Sequence, residues 1–170
     1  ATALSLINRG IKATVIESNP TVVPKIGETL PPGAIPLLNA LGIADLLQNE
    51  AHLTSFGNTW LWGNNKVQDQ YFMQNVNGNG CHLRRDVFES GMIAEAVKRG
   101  VNICSGQQFI TAEQTETGIW EVKLRLADGS QHTLKTQLLV DATGRSSKVG
   151  RINKVRRHRY DNLTGVVARF

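Results

Sequence analysis

An α/β fold with a three-stranded antiparallel meander is predicted by three observations. Residues 2–17 run as helix, short β-branched strand and terminal acid. Residues 85–103 run as long amphipathic helix, glycine and strand. Residues 108–140 hold three strand-like runs separated by turn signals. Helices alternating with strands favour a parallel sheet, whereas strands joined by tight turns favour an antiparallel one.

The elements follow in order. Leu4, Leu6 and Ile7 give residues 2–9 a helical rhythm, and Asn8-Arg9-Gly10 stops it. Ile11 to Ile16 is a buried strand candidate with Glu17 at its carboxyl end. Residues 18–33 hold four of the five prolines and are expected to form an extended loop. Ala34 to Leu41 reads as a short helix closed by Gly42, continued by Ile43 to Gln48. Thr54 to Trp62 and Tyr71 to Val76 read as strands, with turns at Gly63-Asn64-Asn65 and Asn77-Gly78-Asn79-Gly80. Arg85 to Arg99 is the clearest helix, with an apolar stripe of Val87, Phe88, Met92, Ile93, Ala96 and Val97. Val101 to Ile103 is a strand. Phe109 to Gln114, Trp120 to Leu126 and Thr133 to Val140 form the meander, with Asp128-Gly129 as a hairpin signal. Leu163 to Phe170 starts a further strand.

Composition narrows the function classes. With 170 residues, 41% of them hydrophobic, the chain can bury one ordinary core. No apolar run is long enough to span a bilayer, and no signal peptide is expected. The opening Ala1-Thr2-Ala3-Leu4 is already helical and has no cap, so a truncated start is expected. Cys81 and Cys104 fit no ligand spacing, and His52, His82, His132 and His158 are scattered. Reduced thiols, no metal and a cytoplasmic location are the expectations. The net charge of +5 is concentrated: Arg145 to Arg159 holds seven basic residues and no acid. Nucleic-acid readers interleave such charges with aromatics, and here only Tyr160 is near, so a solvated surface or one facing an anionic cofactor or partner is the reading.

In a Rossmann unit the second strand ends in an acid that accepts hydrogen bonds from adenosine ribose hydroxyls, and a glycine loop before the intervening helix holds the pyrophosphate. Glu17 stands where that acid belongs. The glycine loop is expected just before Ala1.

The stretch Lys25-Ile26-Gly27-Glu28-Thr29-Leu30-Pro31-Pro32-Gly33, ahead of a short helix, resembles the flavoprotein superfamily of p-hydroxybenzoate hydroxylase, geranylgeranyl reductase and flavin-dependent halogenases. Leu83-Arg84-Arg85-Asp86-Val87-Phe88-Glu89 resembles the Arg-x-x-Phe start of its flavin-flanking helix. Residues 108–140 look like its meander, and Leu139-Val140-Asp141-Ala142-Thr143-Gly144-Arg145 resembles its Asp-Gly element. The resemblance implies a Rossmann-type FAD-binding domain interrupted by a β-rich substrate region and truncated at both ends. It implies FAD as cofactor, held by Glu17, Gly27, Glu28, Arg85 and Gly144. Residues 1–52 and 82–152 would be FAD-binding parts, 53–81 substrate-region strands, and 153–170 the start of a substrate-domain sheet.

The departures shape the activity expected. Thr143 occupies the acidic position of the hydroxylase Ala-Asp-Gly element, which weakens the case for direct nicotinamide use. Tryptophan halogenases take reduced flavin from a separate reductase, which makes such a reductase a candidate partner. Their lysine is missing, however, from Ser55-Phe56-Gly57-Asn58-Thr59-Trp60-Leu61-Trp62-Gly63, and Lys66 lies in a turn. That segment and Tyr160-Asp161-Asn162-Leu163 look more like the tryptophan-halogenase-like branch that modifies an amino acid inside a quinone-cofactor enzyme. The expectation is a fragment of an FAD-dependent monooxygenase-type oxidoreductase, inactive alone, acting on an aromatic or amino-acid substrate, small or protein-bound. Rivals are a halogenase, a saturating reductase and a fragment that binds no flavin. No residue is assigned as acid, base or nucleophile.

Overall fold

The structure, a computed structural model, describes residues 1–166 except 24, 64 and 159. It divides into two compact units, Ala1–Gln107 and Gln108–Phe170.

The first unit is organised around α3 (Arg85–Lys98), which follows α1 (Thr2–Ile7) and α2 (Ile35–Leu41) along the chain. Leu4, Leu38, Ile43, Leu83, Phe88, Ala96 and Val101 form its buried core. The predicted stripe on α3 is narrower than expected. Phe88, Met92 and Ala96, four residues apart, turn inward, while Ile93 and Val97 are exposed. Gly91 lets Leu46 approach: a Cβ there would stand 2.9 Å from Leu46 Cδ2.

Strand β1 (Thr14–Glu17) pairs in parallel with β7 (Asn102–Ser105), in register from Thr14↔Asn102 to Glu17↔Ser105. The strand expected at Ile11 to Ile16 begins later, at Thr14, and is only partly buried, with Glu17 as its last paired residue. Gly42, in the left-handed region at φ +67, ends α2. Residues Ala44–Gln48 therefore form a separate 3₁₀ turn instead of continuing the helix.

The region between β1 and α3 departs from expectation in three places. The proline-rich segment is not all extended loop: Thr29–Leu30 forms β2, paired with β6 (Gly80–His82), and Pro32–Ala34 turns as a 3₁₀ helix. The run from Thr54 is two strands, not one. β3 (Leu53–Ser55) pairs with β6, and β4 (Gly57–Trp60) pairs with β5 (Gln68–Tyr71). Gly57 permits the change of partner, since a Cβ there would meet the Gln70 carbonyl at 2.5 Å. The strand expected at Tyr71 to Val76 lies earlier, at β5. Phe72 is buried, its N–H bonds the Phe56 carbonyl, and Asn75 and Asn77 then turn the chain.

The second unit is the predicted meander, in the order β10-β9-β8 (Gln131–Thr136, Trp120–Arg125, Gln108–Gln114). Ala112, Val122 and Leu124 are its buried apolar residues. The third strand begins and ends earlier than expected. The Asp128 carboxylate accepts the Ser130 N–H and hydroxyl in a tight turn, so pairing starts at Gln131. The Thr136 hydroxyl bonds the Leu138 carbonyl, and no described strand pairs with residues 137–143. Beyond a 3₁₀ turn at Gly144–Ser146 and α4 (Lys148–Ile152), residues 163–166 carry no strand, and the rest of that predicted strand, 167–170, lies outside the described residues. No helix among the described residues is long and apolar enough to cross a membrane.

Candidate functional site

The proline-rich loop is fastened to the first turn of α3. Arg85 Nη1 donates to the carbonyls of Gly27 at 2.8 Å and Ile26 at 3.2 Å. Its Nε and Nη2 donate to Glu89 Oε1 one turn further along. Glu89 Oε2 pairs with Lys25 Nζ at 3.0 Å. The Glu28 carbonyl accepts the Leu83 N–H at 2.7 Å, which ties the other end of the loop to the strand before α3. Gly27 has φ +97, a backbone that residues with a Cβ rarely adopt. A guanidinium can hold two carbonyls and a carboxylate at once because its donors form a rigid planar fork.

This clasp borders a groove of about 380 Å³. Leu30, Leu83, Phe88 and Met92 supply apolar walls, and Lys25, Arg85 and Glu89 supply charge. Behind Phe88, the buried His52 ring packs edge-on at 6.1 Å between centroids. Its Nδ1 accepts the Arg84 N–H at 3.1 Å, so it serves the start of α3 in place of a capping side chain.

The Glu89 carboxyl is held below its usual range. Burial pushes it up, but hydrogen bonds from Lys25 and Arg85 outweigh that. Its stabilising contribution is therefore complete above the unfolded glutamate range, near pH ~4.3, and is lost as pH falls through its lower folded value. Acid should loosen the Lys25–Glu89–Arg85 clasp, and Glu89→Gln should flatten that part of the stability–pH curve in thermal unfolding from neutral to acidic pH. An unchanged slope in the variant would show that the clasp contributes nothing.

Glu17 is placed as predicted along the chain but does not line the groove. Its Oε1 accepts the Asn19 N–H at 2.9 Å and the Ser18 hydroxyl at 3.3 Å, while its carbonyl accepts the Gln107 N–H. The carboxylate is thus held at the carboxyl ends of the parallel pair, the side on which open α/β sheets bind ligands.

Gly144 belongs to the second unit. It has φ +64 and opens the 3₁₀ turn, with nothing within 4 Å of where a Cβ would stand. Asp141 organises this turn. Its Oδ1 accepts the Thr143 N–H and hydroxyl, and its Oδ2 accepts the Gly150 N–H at 2.9 Å. The Thr143 hydroxyl first, with backbone amides, holds its carboxyl below the usual range.

The structure thus brings together Gly27 and Arg85, with Glu28 adjoining them. Sequence reasoning did not single out Lys25, Glu89, His52 or Asp141. Glu89 stands one turn after Arg85, and Asp141-x-Thr143 has the spacing of a side-chain-to-backbone turn, so both had a local signal. His52 had none. Among the described residues no cluster of His, Cys, Asp or Glu could hold a metal ion.

A parallel strand pair ending in an acid, a glycine turn clasped to a helix start, and a following meander define a dinucleotide-binding flavoprotein fold. The chain belongs to the FAD binding domain family, which matches residues 1–167. It is 28% identical over 114 residues to a Marinomonas mediterranea protein named FAD-dependent oxidoreductase LodB, covering 67% of this chain and 31% of that protein. It is 22% identical over 166 residues to the 1H-pyrrole-2-carbonyl-(peptidyl-carrier protein) chlorinase of Pseudomonas fluorescens, covering 86% of this chain and 37% of that enzyme. A flavoprotein/dehydrogenase from Cytophaga hutchinsonii superposes with a TM-score of 0.80 at 21% identity, over 94% of this chain and 40% of that one. The chain therefore spans about a third of the length of the curated relatives it matches.

FAD is the cofactor of this family. The residues present fit it on two counts. A carboxylate stands at the end of β1 where ribose hydroxyls would be accepted, and a groove with apolar walls and a cationic border adjoins a glycine with no side chain to obstruct a flat ring.

Proposed function

We propose that this chain is the cofactor-holding part of an FAD-dependent oxidoreductase of monooxygenase type, acting on an aromatic or amino-acid substrate, free or borne on a protein. The Arg85 clasp on Gly27 is the observation that carries the reading. It holds a positive-φ turn rigid beside an apolar groove, where a planar ring system could lie against backbone.

Glu17 would accept hydrogen bonds from the adenosine ribose. Gly27 and Glu28 would line the ring side, Arg85 would fix the loop between them, and Gly144 would present backbone to the dinucleotide. Bound flavin supplies the redox chemistry; the chain's own residues bind, orient and exclude water. Residues 1–52 and 82–152 would hold the cofactor. Residues 53–81 would be substrate-region strands, and 153–170 would be the start of a substrate-domain sheet. Reduced flavin from a separate reductase and a cytoplasmic location complete the proposal.

The similarity to a chlorinase supports a second reading, halogenation. Against it, β4 has no lysine, and Lys66 lies outside the strand in the segment joining β4 to β5. The test uses a protein that carries this chain within the full length typical of its relatives. It should purify yellow, retain FAD, and consume oxygen on turnover without halide. Halide-dependent product would establish the second reading instead. Turnover without oxygen would establish a saturating reductase, and a colourless protein that binds no added FAD would sink the flavoenzyme proposal.

A further inference from the structure

From the basic segment of the second unit we infer a docking surface for an acidic polypeptide. Arg145, Lys148, Arg151, Lys154, Arg156 and Arg157 are all exposed, and none forms an ion pair among the described residues. Elsewhere among the described residues six basic residues do: Lys25, Arg84, Arg85, Lys98, Arg99 and Lys135. The contrast is one of built geometry as well as composition. Arg157 Nη1 donates to the Arg145 carbonyl at 2.7 Å, folding the chain back across 12 positions. Arg151 Nε donates to the Ser146 carbonyl at 2.7 Å. Both bonds tie cationic side chains back to the backbone of the same segment.

The turns that shape this knob are themselves unusual. Ser147 and Lys154, at φ 42 and 59, are the positive-φ residues other than glycine among the described residues, and they flank α4. Such backbone is kept where the surroundings enforce it, and it gathers at functional positions. Asp141 has its oxygens turned to Thr143 and Gly150, so it holds the loop's backbone.

Six like charges in 13 positions exceed what one pyrophosphate would engage. The segment also lacks interleaved aromatics, Tyr160 being its neighbour along the chain, which disfavours single-stranded nucleic acid. An acidic protein surface matches both the number of charges and their spread, and it would be steered in by the field they create. The inference deepens the protein-borne-substrate part of the function proposed above and rests on it.

Fluorescence anisotropy of a labelled alternating Glu-Gly peptide, titrated with the 170-residue chain at low salt, tests it. Oligothymidylate of equal charge and inorganic pyrophosphate serve as rival ligands. The peptide should bind more tightly than either and weaken on adding salt. The variant Lys148→Gln/Lys154→Asn/Arg156→Gln leaves the carbonyl bonds of Arg151 and Arg157 intact, and Asn tolerates the turn at 154. It should bind about tenfold more weakly. Neutralising Lys12, Lys123 and Arg125 should change nothing, and circular dichroism of both variants should match the parent. Peptide binding that survives the first variant overturns the inference. So does oligothymidylate binding as tightly as the peptide, which would mark a nucleic-acid surface, or pyrophosphate displacing the peptide, which would mark a phosphate site. Added FAD, followed separately by absorbance, distinguishes this failure from that of the flavoenzyme reading.

Discussion

Replacing Arg99 with methionine is expected to destabilise the first unit by about 3 kcal/mol. The Arg99 guanidinium sits where α1, α2 and α3 meet. Nη1 donates to the Leu41 carbonyl at 2.6 Å and to Asn8 Oδ1 at 3.1 Å, Nη2 donates to the Gly42 carbonyl at 2.6 Å, and Nε bonds Glu95 at 2.9 Å. Leu41 and Gly42 end α2, so their carbonyls are among those a helix cannot satisfy itself. Hydrogen bonds to a charged donor contribute roughly 1.5–3 kcal/mol each, but bonds sharing one group do not add. Methionine keeps most of the buried stem and removes every donor, so the loss reports the bonds and not a cavity. Urea unfolding followed by circular dichroism provides the number, with Lys98→Met as the comparison. Lys98 pairs with the same Glu95 from a far more exposed position, and its loss should be within about 0.5 kcal/mol. Equal losses for the two variants would refute the staple.

Arg99 was legible in the sequence only as the end of a helix. Apart from Glu95, one turn back, its partners lie 57 to 91 positions away, and no local pattern announces a contact of that range. What was legible was periodic or stereochemically forced. The stripe on α3 and the alternation of 108–136 each bury one face, and burial writes itself into residue order. Gly42 and Gly129 mark turns because they must adopt positive φ.

The misplaced strands were those whose partners decide them. Thr54 to Trp62 alternates throughout, yet Ser55 and Gly57 belong to different sheets, since β3 has β6 to pair with and β4 has β5. Leu139 and Val140 have strand-forming side chains but no described partner strand. Backbone donors and acceptors must be paired in a ladder for a strand to exist, and propensity cannot supply the partner.

The site shows the same division. Gly27 and Arg85 were found because short motifs carry them. Their mutual contact was not, because it spans 58 positions. The sequence suggested that Arg85 reaches toward a cofactor. In the structure three of its nitrogens are directed at protein groups, so its first role is to shape the loop.

That role makes the second prediction. In Arg85→Met the amides of residues 25–29 should exchange with solvent at least tenfold faster, and FAD affinity should fall by a similar factor, about 1.4 kcal/mol. The loop loses its hold on the Ile26 and Gly27 carbonyls, and Glu89 is left partly buried with Lys25 as a cation partner. Arg85→Lys should rescue little, since one ammonium cannot span two carbonyls and a carboxylate in a fixed plane. Gly27→Ala tests the same clasp from the other side. Its Cβ would stand 3.5 Å from Arg85 Nη1, ordinary contact, so any harm comes from the backbone at φ +97 and not from crowding. A positioning role requires the exchange rates and the affinity to move together in all three variants. If Arg85→Met weakened FAD binding while the 25–29 amides stayed protected, Arg85 would instead be a direct ligand of the cofactor, and the loop would owe its shape to the Leu83–Glu28 bond and to β2 alone.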